Sequence, residues 1–194
     1  MDGTVEPIVS VDDAGVYPAS LEQQHMFLAD QVGTEGLASH ISVAIRFKDR
    51  VDPEVSRVTQ AFRTIDQLEH TFQDLVSSHD ILRTSFAVND GGQVVREVHE
   101  HLDTNVGLIQ VDDVADDSAR AIMGLFVQPF DLGQAPLVRM VLVQGAGDES
   151  LLLFDGHRIV LDEMSMTMLI DEFFRLFHGD DVPPIRVPLP NPSS

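Results

Sequence analysis

The sequence of 194 residues contains no cysteine and no tryptophan, and it is poor in basic residues. Without thiols the chain cannot form disulfides, use thiolate catalysis, or hold zinc or iron–sulfur groups through cysteine. Only 12 Lys and Arg residues stand against 32 Asp and Glu, so the formal charge is −20. This charge disfavours nucleic acid and anionic membranes, because both are bound mainly through Lys and Arg. It favours a basic partner, although an acidic surface also serves solubility alone.

Several functional sequence signals are missing as well. The acidic start, MDGTVEPIVS, has no basic region and no apolar core of signal-peptide length. No apolar run approaches membrane-spanning length, so we expect the cytosol and no membrane. GxSxG, GxxxxGK[ST] and GxGxxG are all absent, so hydrolase, P-loop and dinucleotide-binding functions have no support. With 43% hydrophobic and 23% charged residues, the length fits one globular domain.

Periodicity predicts alternating helices and strands. Ser20 and Gln23 have the spacing of a helix capping box, and Asn89 to Gly92 is a typical hairpin turn. A second helical region after Pro53 is predicted to break near Asp66. We predict helices near 20–32, 54–76, 118–126 and 164–177, and strands at 40–47, 83–88, 93–98, 105–111, 136–144 and 151–154.

These elements interleave without strict βαβ regularity, which predicts an α/β sandwich with two layers and a mixed sheet. Residues 1–16 are interpreted as an irregular or weakly β lead-in, 17–178 as the domain, and 179–194, with five prolines, as a linker-like tail. Met164 and Met168 belong to a helical stripe that we expect to be core.

The most crowded titratable stretch lies between residues 151 and 177. An apolar run leads into Asp155, His157, Arg158, Asp162 and Glu163, and a helix-period pattern follows. Ionisable groups held between two apolar segments have shifted proton affinities, and catalytic acids and bases are often found in such places. We therefore predict the candidate site here.

Four motifs in order carry a family resemblance. Residues 20–27, SLEQQHMF, are similar to SxAQxRMW, and 78–86, SHDILRTSF, to RHExLRTxF. A PFDL and PLxR phrase occupies 129–132 and 136–139, and HRIVLDE at 157–163 is similar to HHxxxDG. Together these motifs resemble the N-terminal lobe of nonribosomal peptide synthetase condensation domains. The resemblance implies a single lobe of the chloramphenicol-acetyltransferase-like fold, whose family places the active site between two such lobes.

Departures from the last motif affect the expected chemistry. The second histidine, to which the family assigns base-like or orienting roles, is Arg158, which cannot accept a proton but can donate hydrogen bonds to an oxyanion. The motif glycine is Glu163. His157 is one residue out of place, so on a strand it faces the opposite way unless the chain bulges. By resemblance, Asp162 is expected to form a buried ion pair with Arg83.

Metal and cofactor sites have little support in the sequence. His99 and His101 flank Glu100 and share a strand face, but no third ligand is evident, so we expect a solvated pair and no metal. We expect no directly bound cofactor. The resemblance implies one cofactor contact only, with the phosphopantetheine arm of a partner carrier protein.

Two functions remain open. The favoured one is a catalytically impaired lobe retained as an interaction or docking module in nonribosomal peptide or hybrid polyketide biosynthesis. The alternative is one half of a split condensation enzyme, which forms an amide or ester from a carrier-protein thioester with a second-lobe polypeptide. Both predict carrier proteins or synthetase modules as partners, and both leave self-association open.

Overall fold

The computed structural model describes residues 15–33, 36–48, 57–147 and 149–178. Most of the predicted lead-in and the whole predicted tail lie outside the described residues. The elements in chain order are β1 (Val16–Pro18), α1 (Leu21–Gln31), β2 (His40–Lys48), α2 (Arg57–Ser78), β3 (Thr84–Val88), β4 (Val94–Val98), β5 (Val106–Gln110), α3 (Asp116–Phe126), β6 (Val138–Gln144), β7 (Glu149–His157) and α4 (Glu163–His178). The predicted α/β class is confirmed.

The strands form two sheets. The smaller has the order β1-β4-β3 and is antiparallel. The larger has the order β2-β7-β6-β5, with β5 and β6 parallel and the other pairs antiparallel, which confirms the predicted mixed sheet. Its central strand β7 carries the start of the crowded stretch, so the register on either side of β7 decides which residues meet there.

Local sequence signals set several element boundaries. The Ser20 hydroxyl accepts a hydrogen bond from the Gln23 amide at 3.2 Å, and the Gln23 side chain accepts one from the Ser20 amide at 3.1 Å. This capping box is the predicted start of α1. In the β3–β4 turn, the Asn89 side chain accepts hydrogen bonds from the Gly91 and Gln93 amides, and Gly92 takes a φ of 77°.

The predicted break near Asp66 is wrong, because α2 runs without interruption from Arg57 to Ser78. The segment contains no proline or glycine that would end a helix. Beyond Asp66 the helix is held to the core by a continuous buried stripe of Leu68, Phe72, Leu75 and Val76. Pro53 lies in the segment 49–56, which is outside the described ranges.

The core lies mainly on one face of the larger sheet. There α2 and α4 pack on alternate strand residues, including Ile45, Leu152 and Phe154. On the opposite face Leu151 and Leu153 pack in a smaller cluster with α3, which adds a helix outside the predicted two layers. This alternation follows from the period of two along each strand.

The expected core role of the methionine stripe on α4 is wrong for its first members. Met164 is 73% exposed and Met168 is 65% exposed, whereas Met166, Ile170 and Phe173 are buried. The buried face of α4 keeps Leu169 and Phe173 of the predicted stripe, with Phe173 packed edge-on against Phe154 of β7, but continues through Met166 and Ile170 and not through Met164 and Met168. Among helices in the described ranges, none combines the length and apolarity needed to cross a bilayer.

Candidate functional site

The end of β7 separates the crowded residues onto two sides. β7 continues through Asp155 to His157, further than the predicted strand, and pairs His157 with His40 of β2 and Gly156 with Val138 of β6. Asp155 and His157 therefore share one face of the sheet. Gly156 faces the other side, where a Cβ atom would lie only 3.0 Å from Leu161, so glycine allows the chain after β7 to pack closely.

Asp155 is the centre of a buried polar network. Its carboxylate is fully buried and accepts hydrogen bonds from His40 Nδ1 at 3.0 Å and Ser42 Oγ at 2.8 Å. Arg139 of β6 donates to it through Nε at 2.9 Å and Nη2 at 2.6 Å. A buried carboxylate is stable only when paired and hydrogen-bonded, and these three neighbours satisfy that requirement.

Phe130 covers this network from the segment before β6. Its ring stacks on His40 with centroids 5.2 Å apart, and the Arg139 guanidinium lies 4.2 Å from the ring centroid. Arg139 also donates to the carbonyl of Gln128. The PFDL and PLxR phrases of the sequence are thus brought together on Asp155, whose side chain orders both.

His157 is buried beside the network and has an unsatisfied nitrogen. Its side chain is 1% exposed, its Nδ1 accepts from the Ile159 amide at 3.1 Å, and its Nε2 has no hydrogen-bond partner. The nearest acid is Asp30 of α1, with Oδ1 at 3.9 Å. Burial, and secondly the electrostatic interaction with His40, lower the pKa of His157 to about 4, so the ring is neutral at pH 7.

Arg158 lies just past β7 on the outside. Its amide donates to the Ser39 carbonyl at 2.8 Å, which continues the β2–β7 pairing, and its guanidinium forms an ion pair with Glu163. The side chains of Arg158 and Glu163 are 39% and 65% exposed. The two residues that depart from the HHxxxDG motif therefore pair with each other.

The ion pair expected between Arg83 and Asp162 is absent. Arg83 instead pairs with Asp80 and donates to the carbonyls of His99 and Glu100. The short helical turn at 80–83 and the hairpin carry all of these partners, so local geometry holds Arg83 away from α4.

Asp162 instead stands at the start of α4. Its Oδ1 accepts from the Ser165 amide at 2.7 Å, as an N-cap carboxylate does. Hydrogen bonds from the Ser165 backbone and side chain lower its pKa. Asp162 is exposed, which differs from the buried position that the resemblance implies.

Three further histidines, His79, His99 and His101, contact neighbouring side chains or solvent. His99 Nε2 is 2.8 Å from Ser85 Oγ, whereas His101 is exposed beside Glu100. His79 pairs with Glu172 at 2.8 Å, linking α2 to α4. Across the described residues, no three His, Asp or Glu side chains are placed to hold a metal ion.

One cavity of about 350 Å³ adjoins the network on the side of Phe130 and Arg139. Its apolar floor includes Phe72 and Pro136, and Asn105 lies at its margin. Arg158 does not line this cavity.

Sequence reasoning found Asp155 and His157 as members of the crowded stretch, but it missed the partners that define their environment. His40 and Ser42 lie on a strand more than 100 residues away in sequence. Two sequence signals could have pointed to this network. Arg139 lies at an alternating strand position inside the PLxR phrase, and the charged Asp155 ends an apolar strand.

Comparison with known proteins gives consistent results. A family model described as "Condensation domain" matches residues 13–188. Tyrocidine synthase 3 of Brevibacillus parabrevis is 32% identical over 185 residues, which are 95% of this chain and 3% of that protein. Surfactin synthase subunit 2 of Bacillus subtilis is 33% identical over 179 residues, which are 92% of this chain and 4% of that protein.

Solved structures share the fold at low sequence identity. The starter condensation domain of the rhizomide synthetase RzmA aligns with a TM-score of 0.69 and 18% identity, over 89% of this chain and 41% of that one. The X-domain, solved in a complex with OxyB from teicoplanin biosynthesis, aligns with a TM-score of 0.69 and 23% identity, over 94% of this chain and 36% of that one. The chain thus spans less than half of these structures and a few per cent of the curated relatives.

Proposed function

Because the chain belongs to the condensation-domain family, we propose that residues 17–178 are an N-terminal-lobe unit that acts as a noncatalytic interaction module in nonribosomal peptide or hybrid polyketide biosynthesis. Its relatives are peptide synthetases such as tyrocidine and surfactin synthases. The partners we propose are carrier proteins or synthetase modules of such a system, and the compartment is the cytosol.

The observation that carries this proposal is the ion pair of Arg158 and Glu163. Arg158 occupies the motif position where the family has its second histidine. A guanidinium stays protonated at physiological pH, so it cannot take a proton from an attacking amine. Pairing with Glu163 also engages the guanidinium that would otherwise stabilise an oxyanion.

His157 does not replace the missing base in this proposal. Its ring is buried on the Asp155 face of β7, opposite the side on which Arg158 is exposed. A general base needs to lie within hydrogen-bond reach of the proton that it removes. We assign His157 a structural role, in which its neutral ring fills the space between Asp30 and the His40 ring.

A binding role for this fold has a precedent. The X-domain structure, which aligns over nearly all of this chain, is of a complex with OxyB. The exposed Met164 and Met168 of α4 lie directly after the Arg158–Glu163 pair and give that end of the lobe an apolar margin. A carrier protein docked there would present its phosphopantetheine arm, the only cofactor contact that we propose.

The second candidate is one half of a split condensation enzyme. This chain matches 41% of the RzmA structure, so in this candidate other residues supply the remainder of such a fold. In this case a separate second-lobe polypeptide binds the chain and completes a site that forms an amide or ester from a carrier-protein thioester.

An acyl-transfer assay with loaded carrier proteins separates the two candidates. It compares the chain alone, the chain with a candidate second lobe, and the double variant Arg158→His/Glu163→Gly with that lobe. Arg120→His is the matched control, because Arg120 is also an exposed arginine paired with a carboxylate, Asp117. We expect product only with the double variant, together with binding of a carrier protein in a pull-down. Product from the unmodified chain with the second lobe would contradict the noncatalytic role and establish the split enzyme.

A further inference from the structure

The cavity beside Phe130 combines an apolar floor with charged and polar groups at its margin. Its volume of about 350 Å³ lies at the lower end of the range of small-molecule sites, so it suits a small ligand. Phe72, Pro136 and Val138 form the apolar floor, and Phe130 supplies an aromatic wall. The polar groups come from two places, the loop 103–105 and the start of β6.

Arg139 of β6 brings unused hydrogen-bond donors to this cavity. Its Nε donates to Asp155, and its Nη2 donates to Asp155 and to the Gln128 carbonyl. Both N–H groups of Nη1 remain, and no described residue accepts a hydrogen bond from them. The contacts with Asp155 and with the ring of Phe130, 4.2 Å from the guanidinium carbon, fix the orientation of the guanidinium. Nη1 is therefore available to a ligand that carries a hydrogen-bond acceptor.

The loop 103–105 brings a carboxylate and a carboxamide to the same cavity. Asp103 and Asn105 are exposed, and their side chains have no hydrogen-bond or ion-pair partner among the described residues. Exposed polar side chains without a partner are common at protein surfaces. These two differ from such residues because they line a cavity whose other polar side chain, Arg139, is a cation with unused donors.

The backbone of this loop is fixed on α2. Gln73 donates through its side-chain amide to the Leu102 carbonyl at 2.8 Å and accepts from the Thr104 amide at 2.8 Å. Glu69 accepts from the Val106 amide at 3.3 Å. The loop is thus held at both ends and in the middle. A site whose backbone is ordered before binding loses less conformational entropy when a ligand binds.

The charges of the cavity restrict its ligand. Phosphorylated ligands and simple anions are disfavoured, because a single arginine lines the cavity on a chain of net charge −20. A purely apolar ligand would cover Arg139 and Asp103 without giving them partners, which is costly. A ligand with both a carboxylate and an ammonium group is neutral overall and offers one group to each of these residues. An apolar body on that ligand would cover the floor.

We propose that this cavity binds a free α-amino acid with an apolar side chain. The carboxylate of the ligand accepts hydrogen bonds from Arg139 Nη1 and from the side-chain amide of Asn105, and its ammonium group donates to Asp103. The apolar side chain of the ligand contacts the floor. This site goes beyond the proposed function and is separate from the motif position, because Arg158 does not line the cavity. An aminoacyl group on a carrier protein has a thioester in place of the free carboxylate, so it is not this ligand.

The test is a titration of the full, isotope-labelled chain with L-leucine, followed by NMR. We expect a Kd of roughly 0.1–1 mM, as for a ligand of this size. The chemical-shift changes should be largest at the amides of residues 103–105 and 138–139. Leucinamide, which lacks the carboxylate, and 4-methylpentanoate, which lacks the ammonium group, should each bind about tenfold more weakly than L-leucine.

Two variants test the assigned contacts without disturbing the Asp155 network. Asp103→Asn and Asn105→Ala should each weaken L-leucine binding about tenfold, the effect of losing one hydrogen bond to a charged group. Both variants should keep the wild-type melting temperature, because both residues are exposed. The control Asp90→Asn removes an exposed carboxylate in the β3–β4 turn, which does not line the cavity, and it should leave the affinity unchanged.

No saturable shift change up to roughly 10 mM L-leucine would overturn the proposal. Binding of 4-methylpentanoate as tight as that of L-leucine would also overturn it, because the cavity would then not recognise the ammonium group. Equal affinities of the wild type and Asp103→Asn would have the same meaning, and shift changes confined to another surface would place the ligand elsewhere. The titration requires no carrier protein, second lobe or thioester, so its failure leaves the acyl-transfer result, and the proposed function, to stand or fall separately.

Discussion

Arg158 and Glu163 form an ion pair across the turn that joins β7 to α4. In the motif resemblance the two residues stand where HHxxxDG has a histidine and a glycine, and each supplies the charge that the other requires. Both side chains are exposed, at 39% and 65%, so the pair adds a charged contact at the surface without burying a charge.

Breaking this pair should have little effect on stability. Exposed ion pairs contribute modestly because solvent screens them, so Glu163→Gln should lower the free energy of unfolding by less than about 1 kcal/mol. Urea denaturation of the wild type and the variant measures the difference. A loss of several times that size would contradict the exposed position of the pair.

The Asp155 network should be the most sensitive polar feature of the fold. Replacing Asp155 by Ala leaves the guanidinium of Arg139 uncompensated and His40 without its acceptor, which should cost about 3–5 kcal/mol. The midpoint of urea denaturation measures this loss. Asp117→Ala is the control, because Asp117 is 98% exposed in its pair with Arg120, and it should change the midpoint very little. Equal effects of the two variants would contradict the structural role of Asp155.

Arg83 and Asp162 should behave as independent residues. Arg83→Ala removes hydrogen bonds to two carbonyls, and Asp162→Ala removes the N-cap of α4, so each should destabilise the protein. Because they share no contact, a double-mutant cycle should show additive effects. A large coupling energy would contradict this independence and would support the ion pair implied by the family resemblance.

Stability should fall in mild acid through His157. The pKa of His157 is about 4 in the folded protein and 6.5 in the unfolded chain, so the unfolded chain binds the proton more tightly. The contribution is complete above pH 6.5 and is lost as the pH falls towards 4, by an amount on the order of 3 kcal/mol.

The groups that face the His157 ring are His40, Asp155 and Asp30. Unfolding free energies at intervals from pH 7.5 to 4 measure the loss, and His157→Gln should flatten the curve in this window. An unchanged slope in that variant would assign the acid sensitivity to another group.

Local signals in the sequence were sufficient for most elements. The capping box at Ser20 and the Asn89 turn act over a few residues, so their geometry follows from the nearby sequence. The Asp155 network depends instead on the register of β2 against β7 and of β6 against β7. Residues 115 positions apart meet only once the sheet forms, and no local pattern contains that information.

The position of Arg83 shows a second limit of prediction from the sequence. The motif resemblance placed Arg83 and Asp162 in family motifs, but a shared motif does not fix which side chains meet. Arg83 follows a short helical turn in which Asp80 is only three residues away, and that nearer carboxylate takes the guanidinium. On α4, helical spacing admitted two overlapping stripes, and only the packing of the helix on the sheet selects the one with Met166 and Ile170 over the one with Met164.

Neighbouring positions at the end of β7 have different structural roles. His157 points into the sheet face and is tied to the folding of the domain, whereas Arg158 points outwards and is tied only to Glu163. A substitution at 158 therefore changes the chemistry of the lobe at low cost to its stability. The charge at this surface can therefore change in one or two mutational steps while the domain continues to fold.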